Sequence, residues 1–135
     1  MNLYLDTSIA VHALRGTPAA ERWFDQVTQQ VEDMLVSSRI LKTELTRVQR
    51  RDGRALEERD LILDHVATIP LTDSILTIAE SITEHVKTLD AIHLASALAL
   101  GGDTTVVTHD ANLMQVAATL GLRMLDPLAA GPLRQ

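Results

Sequence analysis

Cysteine is absent, and only three residues are aromatic: Tyr4, Trp23 and Phe24. The first absence excludes a disulfide framework and a thiolate metal site, and makes an intracellular, cytoplasmic location the expectation. The second argues against a stacking platform for single-stranded bases. No uncharged run approaches the roughly 18 residues that span a bilayer, so no membrane partner is expected. Met1-Asn2-Leu3-Tyr4-Leu5-Asp6 lacks the basic opening of a signal peptide. With no linker, repeat or low-complexity segment, residues 1–135 read as one domain, and 126–135 as a C-terminal tail.

Positive charge is also scarce overall, at a net −6, which argues against a protein that coats nucleic acid. Its distribution is uneven. Between Arg39 and Arg59 lie seven basic residues, among them Lys42, Arg47, Arg50 and Arg51, against four acids. That stretch is either a solvated helical face with Arg–Glu pairs or an RNA-contacting patch formed by Arg39, Lys42, Arg47, Arg50 and Arg51.

What the chain does contain is an alternation of short apolar strands with helical patterns. Strands are expected at Leu3–Leu5, Met34–Val36, Ala67–Leu71, Thr104–Thr108 and Arg123–Leu125, the last at an edge. Thr7 or Ser8 should cap the first helix, which ends near Gly16. Thr17-Pro18 starts a second, with Ala20, Trp23, Phe24, Val27 and Val31 on one face. Ser37-Ser38 should open a third, Ala55 to His65 a fourth, and Thr72 a fifth. The segment Leu89 to Leu98 is apolar nearly all round, the pattern of a buried helix. A last helix should run through Leu113, Val116, Ala117 and Leu120. The fold class is therefore α/β: a mostly parallel sheet of four or five strands flanked by about seven helices.

Four acids stand out against this frame. Asp6 and Asp110 each follow a strand and precede a helix, the rim where parallel sheets bind ligands. Glu44 lies on the apolar stripe of Ile40, Leu41 and Val48, where a carboxylate is costly unless paired or bound to a metal. Asp90 opens the buried helix, either as its cap or facing a ligand. Each alone has a structural explanation. Together they would repel at one rim unless a cation held them, and oxygen-only ligation suits Mg²⁺ or Mn²⁺. Such an ion supports phosphodiester hydrolysis. Ser8 and Thr108 are candidate supporting hydroxyls, or plain caps. His93 and His109 show no zinc spacing and read as packing or supporting groups before ligands or bases.

Leu5-Asp6-Thr7-Ser8, Ser37-Ser38 through Lys42-Thr43-Glu44-Leu45, Leu89-Asp90-Ala91-Ile92-His93-Leu94-Ala95 and Val107-Thr108-His109-Asp110-Ala111-Asn112-Leu113 together resemble the PIN domain, and within it the VapC-type toxins of bacterial toxin–antitoxin pairs. The pieces occur in the family's order from residue 5 to 113. The resemblance implies a Mg²⁺- or Mn²⁺-dependent endoribonuclease with Asp6, Glu44, Asp90 and Asp110 as its metal-binding acids and Thr108 as a supporting hydroxyl. It also implies a homodimer, inhibition by a cognate VapB-like antitoxin, and a structured RNA such as tRNA or rRNA as target. The alternatives are a PIN nuclease acting in RNA maturation or on DNA, and a non-catalytic domain that keeps the fold.

Overall fold

The computed structural model describes residues 1–129. Five strands, β1 (Asn2–Leu5), β2 (Met34–Ser38), β3 (Ala67–Ile69), β4 (Thr104–Val107) and β5 (Arg123–Leu125), form one sheet in the order β3-β2-β1-β4-β5. Every pairing is parallel. β1 is central because its side chains are apolar on both faces, which only a sheet covered on both sides can bury. Leu3 and Leu5 point to one face and Tyr4 to the other. On the first face they pack with Leu35 and Val107 against Ile9, Ala13, Phe24, Leu41 and Leu45. On the second, Tyr4 packs with Val36 and Val106 against Leu94, Ala97, Leu113 and Val116.

The helices are α1 (Thr7–Leu14), α2 (Pro18–Thr28), α3 (Ile40–Arg51), α4 (Asp60–Leu63), α5 (Asp73–Ser81), α6 (Thr88–Leu100) and α7 (Ala111–Thr119), with a 3₁₀ turn at Leu56–Arg59. α6 is buried continuously from Ala91 to Ala97, as its all-round apolar pattern predicts. Gly101 and Gly102 turn the chain out of it with φ of 60° and 57°, a region other residues enter at a cost. Among the described residues no helix is long and apolar enough to cross a membrane.

Several local expectations are corrected. Ser37 and Ser38 lie inside β2 rather than opening α3. Both are buried, and their hydroxyls are satisfied there: Ser37 Oγ donates to the Leu5 carbonyl at 2.6 Å, and Ser38 Oγ accepts from the Ile40 amide at 3.1 Å. Val31 is 98% exposed because α2 ends at Thr28, three residues short of it. The helix expected over Ala55–His65 is a 3₁₀ turn followed by the short α4. Buried Gln49 shapes that segment by donating to the Ala55 carbonyl at 2.8 Å and to Glu58 at 3.0 Å. Of the expected tail, Asp126 to Ala129 are described, and Leu128 packs against the core. Residues 130–135 lie outside the described residues.

Candidate active site

Following the chain, the sheet grows outward from β1 through β2 and β3, then on the opposite side of β1 through β4 and β5. The direction therefore reverses between β1 and β4, and such switch points open a crevice at the carboxyl ends of the strands. Leu5 and Val107 stand opposite each other at those ends. The next residues are Asp6 on one side and Thr108-His109-Asp110 on the other.

Asp6 is 4% exposed, and it, rather than Thr7 or Ser8, is the N-cap of α1. Its Oδ2 accepts from Ser8 Oγ at 2.7 Å, Thr108 Oγ1 at 2.8 Å and the Ser8 amide at 3.4 Å. Both hydroxyls expected to support a carboxylate therefore support the same oxygen. Thr108 Oγ1 also accepts from the Asp110 amide, tying the two strand ends together. Asp110 caps α7, its Oδ1 accepting from the Leu113 amide at 3.1 Å. Glu44, half-buried on α3, uses Oε1 to accept from Thr7 Oγ1 at 2.6 Å and from His93 Nε2 at 2.7 Å.

Asp6 Oδ1, Glu44 Oε2 and Asp110 Oδ2 receive no donor from the described residues. They are not sealed orphans, because the one buried side-chain polar atom left without a partner among the described residues is Arg59 Nε. Three carboxylates thus have one oxygen fixed by protein donors and the other left over.

Asp90 is not a cap. α6 starts from Lys87, and Asp90 stands half-buried in the first turn. Its carboxyl is pushed up to about 6 by burial first, then by the charges of Asp6, Asp110 and Glu44, with His93 acting in the opposite sense. The four acids therefore share one electrostatic environment. His93 is buried and held above the ordinary histidine range: burial alone would lower it, but the Glu44 hydrogen bond and the charges of Asp6, Glu44 and Asp90 prevail. Its Nδ1 meets Tyr4 Oη at 2.7 Å. His109 is exposed, pairs with Asp126 at 2.9 Å and stands edge-on to His12.

The donor chemistry is that of a hard divalent cation: oxygens only, mutually repelling, with free lone pairs. Among the described residues no three His, Asp or Glu side chains stand close enough to hold an ion by themselves.

The family model for the PIN domain matches residues 3–119. The chain belongs to the PIN-domain family. Among curated proteins this PIN domain is 31% identical to Ribonuclease VapC47 of Mycobacterium tuberculosis (strain CDC 1551 / Oshkosh), covering 93% of this chain and 96% of that protein. It is 30% identical to Ribonuclease VapC46 of Mycobacterium tuberculosis (strain ATCC 25618 / H37Rv), over 93% and 97%. It is thus a PIN domain of the VapC type. Its fold also matches VapBC2 from Rickettsia felis, solved bound to a promoter DNA fragment, with a TM-score of 0.74 and 15% identity over 93% of this chain and 98% of that one. VapBC-1 from nontypeable Haemophilus influenzae matches with a TM-score of 0.70 and 21% identity over 95% and 99%.

Of the basic candidates, Arg39, Lys42, Arg47, Arg50 and Arg51 are all exposed on or beside α3. Among the described residues the Arg–Glu pairing expected of a solvated face occurs in this stretch once, at Arg54–Glu58 beyond the helix, and Arg51 lies 3.9 Å from Asp52 at the helix end. α3 itself has a single acid, Glu44, and that is engaged by Thr7 and His93. Thr7 and Tyr4 are the site contributors that sequence reasoning missed. A hydroxyl directly after a strand-end Asp and the chain's single tyrosine, in its central strand, are the signals that could have marked them.

Proposed function

We propose that this PIN domain is a Mg²⁺- or Mn²⁺-dependent endoribonuclease, the toxin of a type II toxin–antitoxin pair, neutralised by a VapB-like antitoxin and acting on a structured RNA such as tRNA or rRNA. The observation that carries the chemistry is the set of carboxylates at the switch point, three with one oxygen fixed and one free, and the fourth pushed up by burial first and then by the charges of the others. The toxin role is supported by the names of the relatives at 30% and 31% identity and by the VapBC complexes that share the fold. A homodimer belongs to the same proposal, and Leu71 and Leu89, exposed at 43% and 44% beside α5 and at the start of α6, supply apolar surface for it.

In this proposal Asp6, Glu44, Asp90 and Asp110 would hold the ion, some of them through its retained waters rather than directly, and it would supply an activated water and neutralise charge developing during in-line displacement at phosphorus. The chain's own contributions are positional. Ser8 and Thr108 keep Asp6 from rotating, and the buried body of α6 keeps Asp90 in place. Arg47 and Arg51, three and seven residues after Glu44, continue its stripe along α3 and can hold RNA phosphates leading into the crevice.

Metal removal tests the chemistry. Chelator-treated protein should lose RNA cleavage and regain it with added Mn²⁺ or Mg²⁺; cleavage that survives chelation would contradict the proposal. Arg47→Ala combined with Arg51→Ala should weaken RNA binding about tenfold and lower the slope of log affinity against log salt by one to two, as expected for about one lost phosphate contact per arginine. An unchanged slope would return these arginines to a merely solvated face.

A further inference from the structure

The contacts around Glu44 form a chain from the second face of the core to the crevice: Tyr4 Oη to His93 Nδ1 at 2.7 Å, His93 Nε2 to Glu44 Oε1 at 2.7 Å, and Thr7 Oγ1 to the same Oε1 at 2.6 Å. His93 is 1% exposed and Tyr4 fully buried, so neither competes with water for these partners. Burial raises the Tyr4 phenol well above its ordinary value, so it stays protonated. It can donate to Nδ1 of a neutral ring or accept from a charged one. In either state Nε2 carries the hydrogen that Glu44 accepts. His93 Nε2 also lies 4.0 Å from Asp6 Oδ1, which places the imidazole between two of the acids.

We propose that Tyr4, His93 and Thr7 form a clamp that fixes Glu44 through Oε1 and leaves Oε2 as the oxygen available to a divalent ion, making His93 a positioning residue of the reaction. The inference rests on the metal-dependent function proposed above and adds to it which oxygen serves and what holds it. An unclamped glutamate on α3 has three side-chain torsions free, and both donors act on one oxygen, so the clamp selects orientation as well as charge. Hydrogen-bond partners of metal ligands characteristically change metal affinity or activity by about 10–100-fold when removed.

The test measures Mn²⁺ binding by electron paramagnetic resonance, together with kcat and KM for RNA cleavage, in wild type, His93→Leu, His93→Gln, Thr7→Val and Asp6→Asn, after circular dichroism has established folding. His93→Leu should bind Mn²⁺ about 10–100-fold more weakly and lose kcat with KM for RNA unchanged. His93→Gln, which restores an N–H donor, should recover most of both. Thr7→Val, at the crevice edge, keeps the test decisive if His93→Leu does not fold; it should weaken binding several-fold. Wild-type affinity and kcat in folded His93→Leu or in Thr7→Val, with binding lost in Asp6→Asn, would overturn the clamp alone. Undiminished Mn²⁺ binding in Asp6→Asn would instead overturn the metal site on which it rests.

Discussion

Asp6→Asn should abolish metal-dependent RNA cleavage, lowering kcat by about a thousand-fold or more while the protein stays folded. Losing one charged ligand removes several kcal/mol of transition-state charge stabilisation, and each 1.4 kcal/mol corresponds to about a factor of ten. The fold should survive because asparagine caps helices as well as aspartate does, so its side-chain oxygen can replace Asp6 Oδ2 toward the Ser8 amide. The Ser8 and Thr108 hydroxyls can still donate to that oxygen. Cleavage at the wild-type rate by a folded Asp6→Asn protein would remove Asp6 from the mechanism.

Asp90→Asn should abolish cleavage too, yet make the metal-free protein more stable at neutral pH. Asp90 is raised from an ordinary 3.8 to about 6 in the folded protein. Between these values the folded state retains a proton that the unfolded chain has released, so its contribution to stability falls as pH rises from about 4 through about 6. Above that range the folded protein carries a carboxylate that its neighbours disfavour. Replacing it should raise stability at pH 7–8 by about 1–2 kcal/mol, less than the full shift implies because the group is half exposed. The gain should disappear below about pH 4, where the carboxyl is neutral in both states. Added Mn²⁺ should stabilise the wild type and have little effect on the variant, since only the native site binds it. Equal stability at pH 8 without metal would show that burial and the neighbouring acids do not disfavour the Asp90 carboxylate as described.

These opposite signs follow from how the site is assembled, and they mark what the amino-acid sequence discloses. Asp6 and Asp110 were recognisable because a strand end followed by a helix start is a local pattern, and a parallel sheet gathers such positions on one rim. Glu44 was recognisable from its place on an apolar stripe. Their mutual influence shows in Asp90, the residue whose local context pointed most plainly to a cap. Of its two readings the cap falls away, because the N-cap of α6 is Lys87, three residues earlier, and the helix itself begins at Thr88.

The hydrogen bonds that orient the acids were not legible. Thr7 reaches Glu44 across 37 residues, His93 across 49, and Thr108 reaches Asp6 across 102. Nothing in the local spacing encodes which oxygen each donor will take. Ser37 departs from its helix-start signal for the same reason, its hydroxyl being taken by the Leu5 carbonyl of the neighbouring strand, whereas Ser38, though in β2, does accept from the Ile40 amide at the start of α3. Tertiary contacts decided both cases.

The basic stretch is intermediate. Its excess of positive charge was plain, but not whether acids neutralise it. Five exposed cations stand on or just before α3, whose one acid is the inward Glu44; of the five, Arg51 alone has an acid partner among the described residues, Asp52 at 3.9 Å. That arrangement gives a strongly acidic protein one face that a polyanion can approach.

The most direct test of the central claim is to induce the wild type and Asp6→Asn briefly in parallel, without an accompanying antitoxin, and to map RNA 5′ ends by sequencing. New ends at defined positions in a structured RNA, present with the wild type and absent with Asp6→Asn, are the predicted result. The same ends in both, or none with the wild type, would contradict a ribonuclease built on these four acids.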